Sequence, residues 1–288
     1  MNEYIHLERR PELERPILIA GFTGWNDAAE AASLAVSTIG EEFGAQRFGS
    51  FDGEEFFDYQ ATRPQIRLVE GVTRTIEWPE NDFSAIEPSV AALGGRGVVL
   101  LSGPEPNFRW RKFSQGVVDL ARELDVRLVV TLGALLADVP HSRPVAVSAN
   151  AQDPSLVENL GLSASRYEGP TGITGLLHRY CADKGLPAVS FWASVPHYLP
   201  SVPSAPAARE TLRQSARPKR GPSRAPSPVE LWRWRLRYSP AKTPPMVPAS
   251  RPKRAPMPKN RAPARVPIRP PIAPPAVPQL LAPKRLAP

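Results

Sequence analysis

The chain holds one cysteine, Cys181, in 288 residues, so no internal disulfide can form and a reducing compartment is expected. It has no apolar run of roughly 18 residues or more, the length a membrane-spanning helix needs, and no basic-plus-apolar leader. Export and membrane insertion are therefore not expected, and the cytoplasm is the default setting. Histidine is scarce. His6, His141, His178 and His197 stand apart, without the close pairs or Cys/Asp companions that metal ligation requires. Neither a metal nor a cofactor is expected, and neither the Gly-x-Gly-x-x-Gly pattern of dinucleotide sites nor a P-loop lysine is found.

Acidic residues are nearly missing from the last 78 positions. From Thr211 onward there are 18 Lys/Arg against one Asp/Glu, a net of +17; the remainder has 18 against 27, a net of −9. The overall charge of +8 describes neither part. The same C-terminal stretch carries 20 of the 36 prolines, which remove backbone donors and exclude long helices and central strands. Two regions follow: a mildly acidic domain over 1–210, long enough for one sizeable core, and a disordered basic Pro/Arg-rich tail over 211–288. Two origins of the tail are open. Out-of-frame reading of a GC-rich gene produces such Pro/Arg/Ala composition. A genuine tail would contact nucleic acid or acidic surfaces through Arg217–Arg224 or Arg251–Arg254, and nucleic acid is expected as a partner only in that case.

What is present is a repeated strand, turn and helix. Ile17–Ala20 is an apolar run too short for a helix, and Asp27–Thr38 is Ala-rich and helix-favouring, so the Gly-bracketed turn between them joins a buried strand to a helix. Asn26 is expected to cap that helix, which runs to Phe43, with Asp27 and Glu30 in its first turn. Gly97–Leu101 and Val126–Leu132 repeat the strand signal, with a helix over Phe108–Leu124 between them. Val145–Val147, a helix over Pro154–Leu160, a helix from the Gly169–Gly172 turn to Lys184 and a strand over Val189–Val195 follow. Ile66–Val69 and Val72–Ile76 read as a hairpin around Glu70-Gly71, and the charged Met1–Arg15 as surface chain. The loop Phe51–Pro64 is both acidic and aromatic and must bury against something. The expected fold is a three-layer α/β/α domain with a mainly parallel sheet, and ligands of such folds sit beyond the carboxyl ends of the strands. Gly24, Glu105, Ala134 and His197 would emerge there.

Several segments together resemble the PAC2 (proteasome assembly chaperone 2) family, especially its actinobacterial branch. They are Gly21-Phe22-Thr23-Gly24-Trp25-Asn26-Asp27-Ala28, Phe57-Asp58-Tyr59-Gln60-Ala61-Thr62-Arg63-Pro64 and Gly103-Pro104-Glu105-Pro106-Asn107-Phe108-Arg109-Trp110. Leu132–Leu135, Pro140–Pro144, Gly169–Ile173 and Ser194–Tyr198 follow in order. The resemblance implies a fold like that of purine nucleoside phosphorylases and homo-oligomers, trimers included. It also implies proteasome subunits as partners, since eukaryotic members look like chaperones of α-subunit assembly. An acidic, helix-rich continuation would be expected after Glu210, where this chain turns basic and proline-rich.

The candidate binding residues are Gly24, Trp25, Asn26, Asp27, Asp58, Arg63, Glu105, Arg109, Trp110, His141, Thr171, Gly172, His197 and Tyr198. Asp58 with Arg63, Glu105 with Arg109, and His141 would supply carboxylate, guanidinium and imidazole for acid/base work if their loops share one rim. The same groups would serve equally as ion pairs that order loops. Gly24 and the Gly169-Pro170-Thr171-Gly172 turn can bring backbone N–H groups to an anion or simply start helices. Trp25, if exposed, suits a partner surface. His178 and Cys181 lie three apart on one helix, where a packed thiol is the plainer reading. The function expected is that of a non-enzymatic protein-binding module; the alternative is a phosphorylase or hydrolase acting at the strand ends.

Overall fold

A computed structural model describes residues 2–69, 73–87, 97–153, 157–158, 162–200 and 202–215. Nine strands form one sheet: β1 (Ile5–Leu7), β2 (Ile17–Thr23), β3 (Gln46–Phe51), β6 (Asp82–Ile86), β7 (Val98–Pro104), β8 (Leu128–Ala137), β9 (Val147–Ala151), β10 (Ser163–Ala164) and β11 (Ala188–Pro196). Their spatial order is β1-β3-β6-β7-β2-β8-β11-β9-β10. The remaining two, β4 (Gln65–Val69) and β5 (Thr73–Glu77), form the expected hairpin as a separate antiparallel pair. The helices are α1 (Ala31–Phe43), the single turn α2 (Gly53–Phe56), α3 (Trp110–Glu123), α4 (Ile173–Asp183) and α5 (Ala205–Ser215).

The parallel character read from the sequence is found in the four central strands, β7, β2, β8 and β11, and again where the two-residue edge strand β10 pairs with β9. On one flank β1, β3 and β6 pair antiparallel; on the other, β9 runs antiparallel to β11. The central strands are apolar on both faces because helices cover both. Leu18, Ala20 and Phe22 of β2 point to the side of α3 and α4, where they meet Phe113, Val117, Leu177 and Cys181. Ile19 points the other way, with Leu100, Val130 and Phe191, into a core shared with α1 and α5 through Val36, Ile39, Ala208 and Leu212. This alternation makes the three layers.

The structure adds two strands to the sequence reading. The N-terminal segment is not merely surface chain, because Ile5–Leu7 pairs with Gly49–Phe51 as an edge strand. β6, with Asp82 and Ser84 in five residues, carries no apolar run and shows itself only through pairing with β3 and β7. Helix α5 crosses residue 210, and Thr211 and Leu212 are buried. The helix expected over Pro154–Leu160 lies largely outside the described residues, as does everything from 216 onward. The aromatic loop does bury: Phe51, Phe56 and Phe57 are inside, and Tyr59 packs on Trp78 at 4.9 Å. No helix among the described residues is long and apolar enough to cross a membrane.

Candidate functional site

Beyond the carboxyl ends of β2, β8 and β11 lies a cavity of about 630 Å³. The β2–α1 turn forms one wall. The Asn26 carbonyl accepts from Ala134 N at 2.7 Å, which holds the turn alongside β8. Asn26 does not cap α1 as expected. Its side-chain Nδ2 donates to Glu105 Oε1 at 3.0 Å, and Asp27 takes over the cap, with Oδ1 accepting from Ala32 N at 2.7 Å and Ser33 N at 3.3 Å. A 3₁₀ turn, Ala28–Glu30, intervenes before α1, and Ala29 and Glu30 sit in the left-handed region at φ 52° and 53°. Such backbone is disfavoured for residues with a Cβ and persists where surrounding bonds dictate it. The Asp27 carboxylate bonds and the Ser204 N to Ala29 O bond of 2.8 Å do so here. Burial pushes the Asp27 carboxyl above its ordinary value.

Glu105 reaches the site from the end of β7. Its Oε1 also accepts from Ile173 N, the first residue of α4, at 2.7 Å. One carboxylate thus joins the β2–α1 turn to a helix N-terminus, where free N–H groups and the helix dipole favour negative charge. Gly172 is required beneath it: a Cβ there would lie 1.9 Å from Asn26 Nδ2 and 2.4 Å from Glu105 Oε1.

The fourteen expected residues separate into three groups. Gly24, Trp25, Asn26, Asp27 and Thr171 line the cavity, with Glu105 and Gly172 directly behind it. Asp58, Arg63, Arg109 and Trp110 belong to the aromatic loop and its seat. Asp58 N donates to Asn107 Oδ1 at 2.9 Å, Asp58 Oδ1 accepts from Gln60 N, and Trp110 Nε1 donates to the Pro106 carbonyl. Arg109 pairs with Glu55 rather than with Glu105, and among the described residues Arg63 makes no ion pair with Asp58. His141, His197 and Tyr198 form the third group. Tyr198 Oη lies 2.9 Å from His141 Nδ1 and accepts from His141 N at 2.9 Å, while His197 lies 3.9 Å from Asp138. The acid/base convergence of Glu105, Arg109 and His141 is not formed, because each group is engaged with a different local partner.

Sequence reasoning passed over Tyr167, Ser190 and Trp192 and gave His178 no place at the cavity; all four line it. Ser190 and Trp192 alternate on the α4-facing side of β11, so a period-two reading of the last strand exposes them. Burial pushes His178 below its ordinary value, leaving the imidazole neutral at pH 7. Cys181 is buried one turn further on, and burial pushes its thiol up to about 12. Since the thiolate is the nucleophile, native protein at pH 8 is expected to resist iodoacetamide while urea-unfolded protein is alkylated fully. Mass spectrometry checks this, and rapid native labelling would contradict it.

Such an α/β/α domain, with a cavity at the strand ends and no His/Cys/Asp/Glu group placed for a metal among the described residues, defines a class of fold rather than an activity. The chain belongs to the PAC2 family, whose family model matches residues 21–218. A PAC2 family protein from Streptomyces avermitilis is 43% identical, with a TM-score of 0.64 over 69% of this chain and 84% of that one. A proteasome-assembly chaperone homologue from Mycobacterium tuberculosis is 44% identical, with a TM-score of 0.64 over 69% and 83%. A second Mycobacterium tuberculosis protein, of unknown function, is 29% identical, with a TM-score of 0.66 over 75% and 76%. A comparison with curated proteins finds no match.

Proposed function

We propose that the chain is a non-catalytic, chaperone-like binding protein whose strand-end face receives proteasome subunits. The observation that carries this reading is the rim of the cavity, where Trp25, Leu136 and Tyr167 are 64%, 49% and 64% exposed. Leu135, which also lines the cavity, is exposed as well. Large apolar side chains clustered around a depression mark surfaces that a partner covers. The similarity to a proteasome-assembly chaperone homologue supports the choice of partner. The enzymatic alternative has less behind it. Phosphorolysis needs a cationic group for phosphate, and no Lys or Arg is among the described residues that line the cavity. A homo-oligomer in the cytoplasm is part of the proposal, and sedimentation of the purified chain tests the oligomer.

Titration of purified proteasome α-subunits against the chain tests the partner. The double variant Trp25→Ala, Leu136→Asp is expected to weaken binding at least about tenfold, as loss of an aromatic anchor does at interface centres. Unchanged affinity, or no binding by the parent chain, would overturn the proposal.

A further inference from the structure

The β4–β5 hairpin stands apart from the nine-stranded sheet, and every described residue of its two strands is exposed. Ile66 lies opposite Ile76 and Leu68 opposite Arg74, so these four share one face of the ribbon. The strip continues at even positions into Trp78, whose ring packs on Tyr59 at 4.9 Å and ties the hairpin's base to the aromatic loop. Ile66, Leu68, Ile76 and Trp78 are 65%, 62%, 57% and 50% exposed. The opposite face is polar: Gln65, Arg67, Thr73, Thr75 and Glu77 lie on it with Val69, and Arg67 pairs there with Glu77. The hairpin is thus amphipathic, with its apolar face turned to solvent.

A two-stranded hairpin is at best marginally stable in water and persists when a further strand or a packed face covers it. The cover is therefore needed for as long as the ribbon exists. A client present only during an encounter leaves it bare, whereas another copy is on hand in equal amount wherever the chain is. Charge favours the same occupant. The segment 63–77 carries three Arg against two Glu, in a domain whose net charge over 1–210 is −9. Arg74 sits on the apolar face itself and makes no ion pair among the described residues, so a carboxylate on the partner's body would complete it. Size sets the geometry. Five residues per strand give a ribbon of about 17 Å by 10 Å, and a stable interface removes about 800 Å² from each partner. Two ribbons face to face fall short of that area, so the ribbon lies along another copy's body with face and flank both covered, and each copy gives one arm and receives one. We propose that the β4–β5 hairpin is an assembly arm: the face made by Ile66, Leu68, Ile76 and Trp78 docks on the acidic body of a second copy of the chain, with Arg74 paired to a carboxylate there. This rests on the homo-oligomer proposed above and names the surface that builds it. The strand-end rim is left free for its own partner.

Sedimentation equilibrium of the full chain and of the double variant Leu68→Asp, Ile76→Asp tests the assignment. At about 50 μM the parent chain is expected to sediment as an oligomer and the double variant as a monomer, its dissociation constant raised at least about 100-fold. Arg74→Glu should raise it about tenfold. Thr75→Asp, which puts one charge on the opposite face, should change it less than about threefold. Circular dichroism confirms that each variant is folded, and if the double variant is not, Leu68→Ala replaces it, with an expected rise of about tenfold. A parent chain monomeric at about 50 μM would overturn the oligomer and the arm together. An oligomer indifferent to the folded apolar-face variants, or weakened equally by Thr75→Asp, would overturn the arm alone. So would an unchanged oligomer whose double variant no longer binds proteasome α-subunits, since the face would then belong to that partner.

Discussion

Phe51→Ala is expected to destabilise the domain by about 3–5 kcal/mol, the range for emptying a large aromatic from a packed core. Phe51 is the hub of the aromatic core between β3 and α3. Its ring stacks on Phe113 with centroids 4.2 Å apart, and meets Phe56 at 5.3 Å and Phe83 at 5.4 Å. Gly116 on α3 makes room for it, since a Cβ there would come within 2.8 Å of the ring. The surrounding rings belong to separate elements, so the void cannot close by moving one of them. Against a total stability of about 5–15 kcal/mol, the loss removes a large share. Urea unfolding should show the midpoint falling accordingly, while Phe108→Ala, at a half-exposed position, should stay within about 0.5 kcal/mol. A Phe51→Ala loss below about 1 kcal/mol would show that these rings are not packed as described.

Glu105→Ala is expected to cost about 2–4 kcal/mol, because it removes charge-assisted bonds to two groups at once. Ile173 N would be left uncapped at the start of α4, and the Asn26 amide, already without a partner at Oδ1, would lose its Nδ2 partner inside the protein. Glu105→Gln keeps an acceptor oxygen and should cost less, about 1–2 kcal/mol. The ordering of the two variants matters more than either value. If alanine and glutamine cost the same, the carboxylate is not the junction between the β2–α1 turn and α4. Both variants should also loosen the cavity wall, since Asn26 and Asp27 are adjacent in that turn.

The central sheet is legible in the sequence because strands buried on both faces require near-continuous apolar runs, and Ile17–Ala20 and Val126–Leu132 are such runs. The flanking strands are not. Ile5–Leu7 and Asp82–Ile86 owe their strand character to neighbours far along the chain, and pairing of that kind leaves no local pattern. At the site, the turn residues Gly24 to Asp27 and the Thr171-Gly172 turn stand out by composition, and they do meet at the strand ends. The distribution of charges could not be read in the same way. Arg109 is four residues from Glu105 yet bonds to Glu55, fifty-four positions earlier, because the left-handed turn at φ 54° before α3 directs it away. Ser190 and Trp192 look like ordinary strand residues until the first half of β11 is seen to form part of the cavity lining. Asn26, a good helix cap by type, is displaced from that role by Asp27 once Glu105 offers its side chain a partner.

Hydrogen–deuterium exchange of the full chain with and without proteasome α-subunits tests the central claim most directly. Protection is expected at 24–27, 134–136 and 165–171, the segments that carry the exposed apolar rim, with the β4–β5 hairpin unchanged. Protection confined to that hairpin or to the edge strand Ile5–Leu7, or no protection at saturating subunit, would contradict the assignment of the strand-end face as the binding surface.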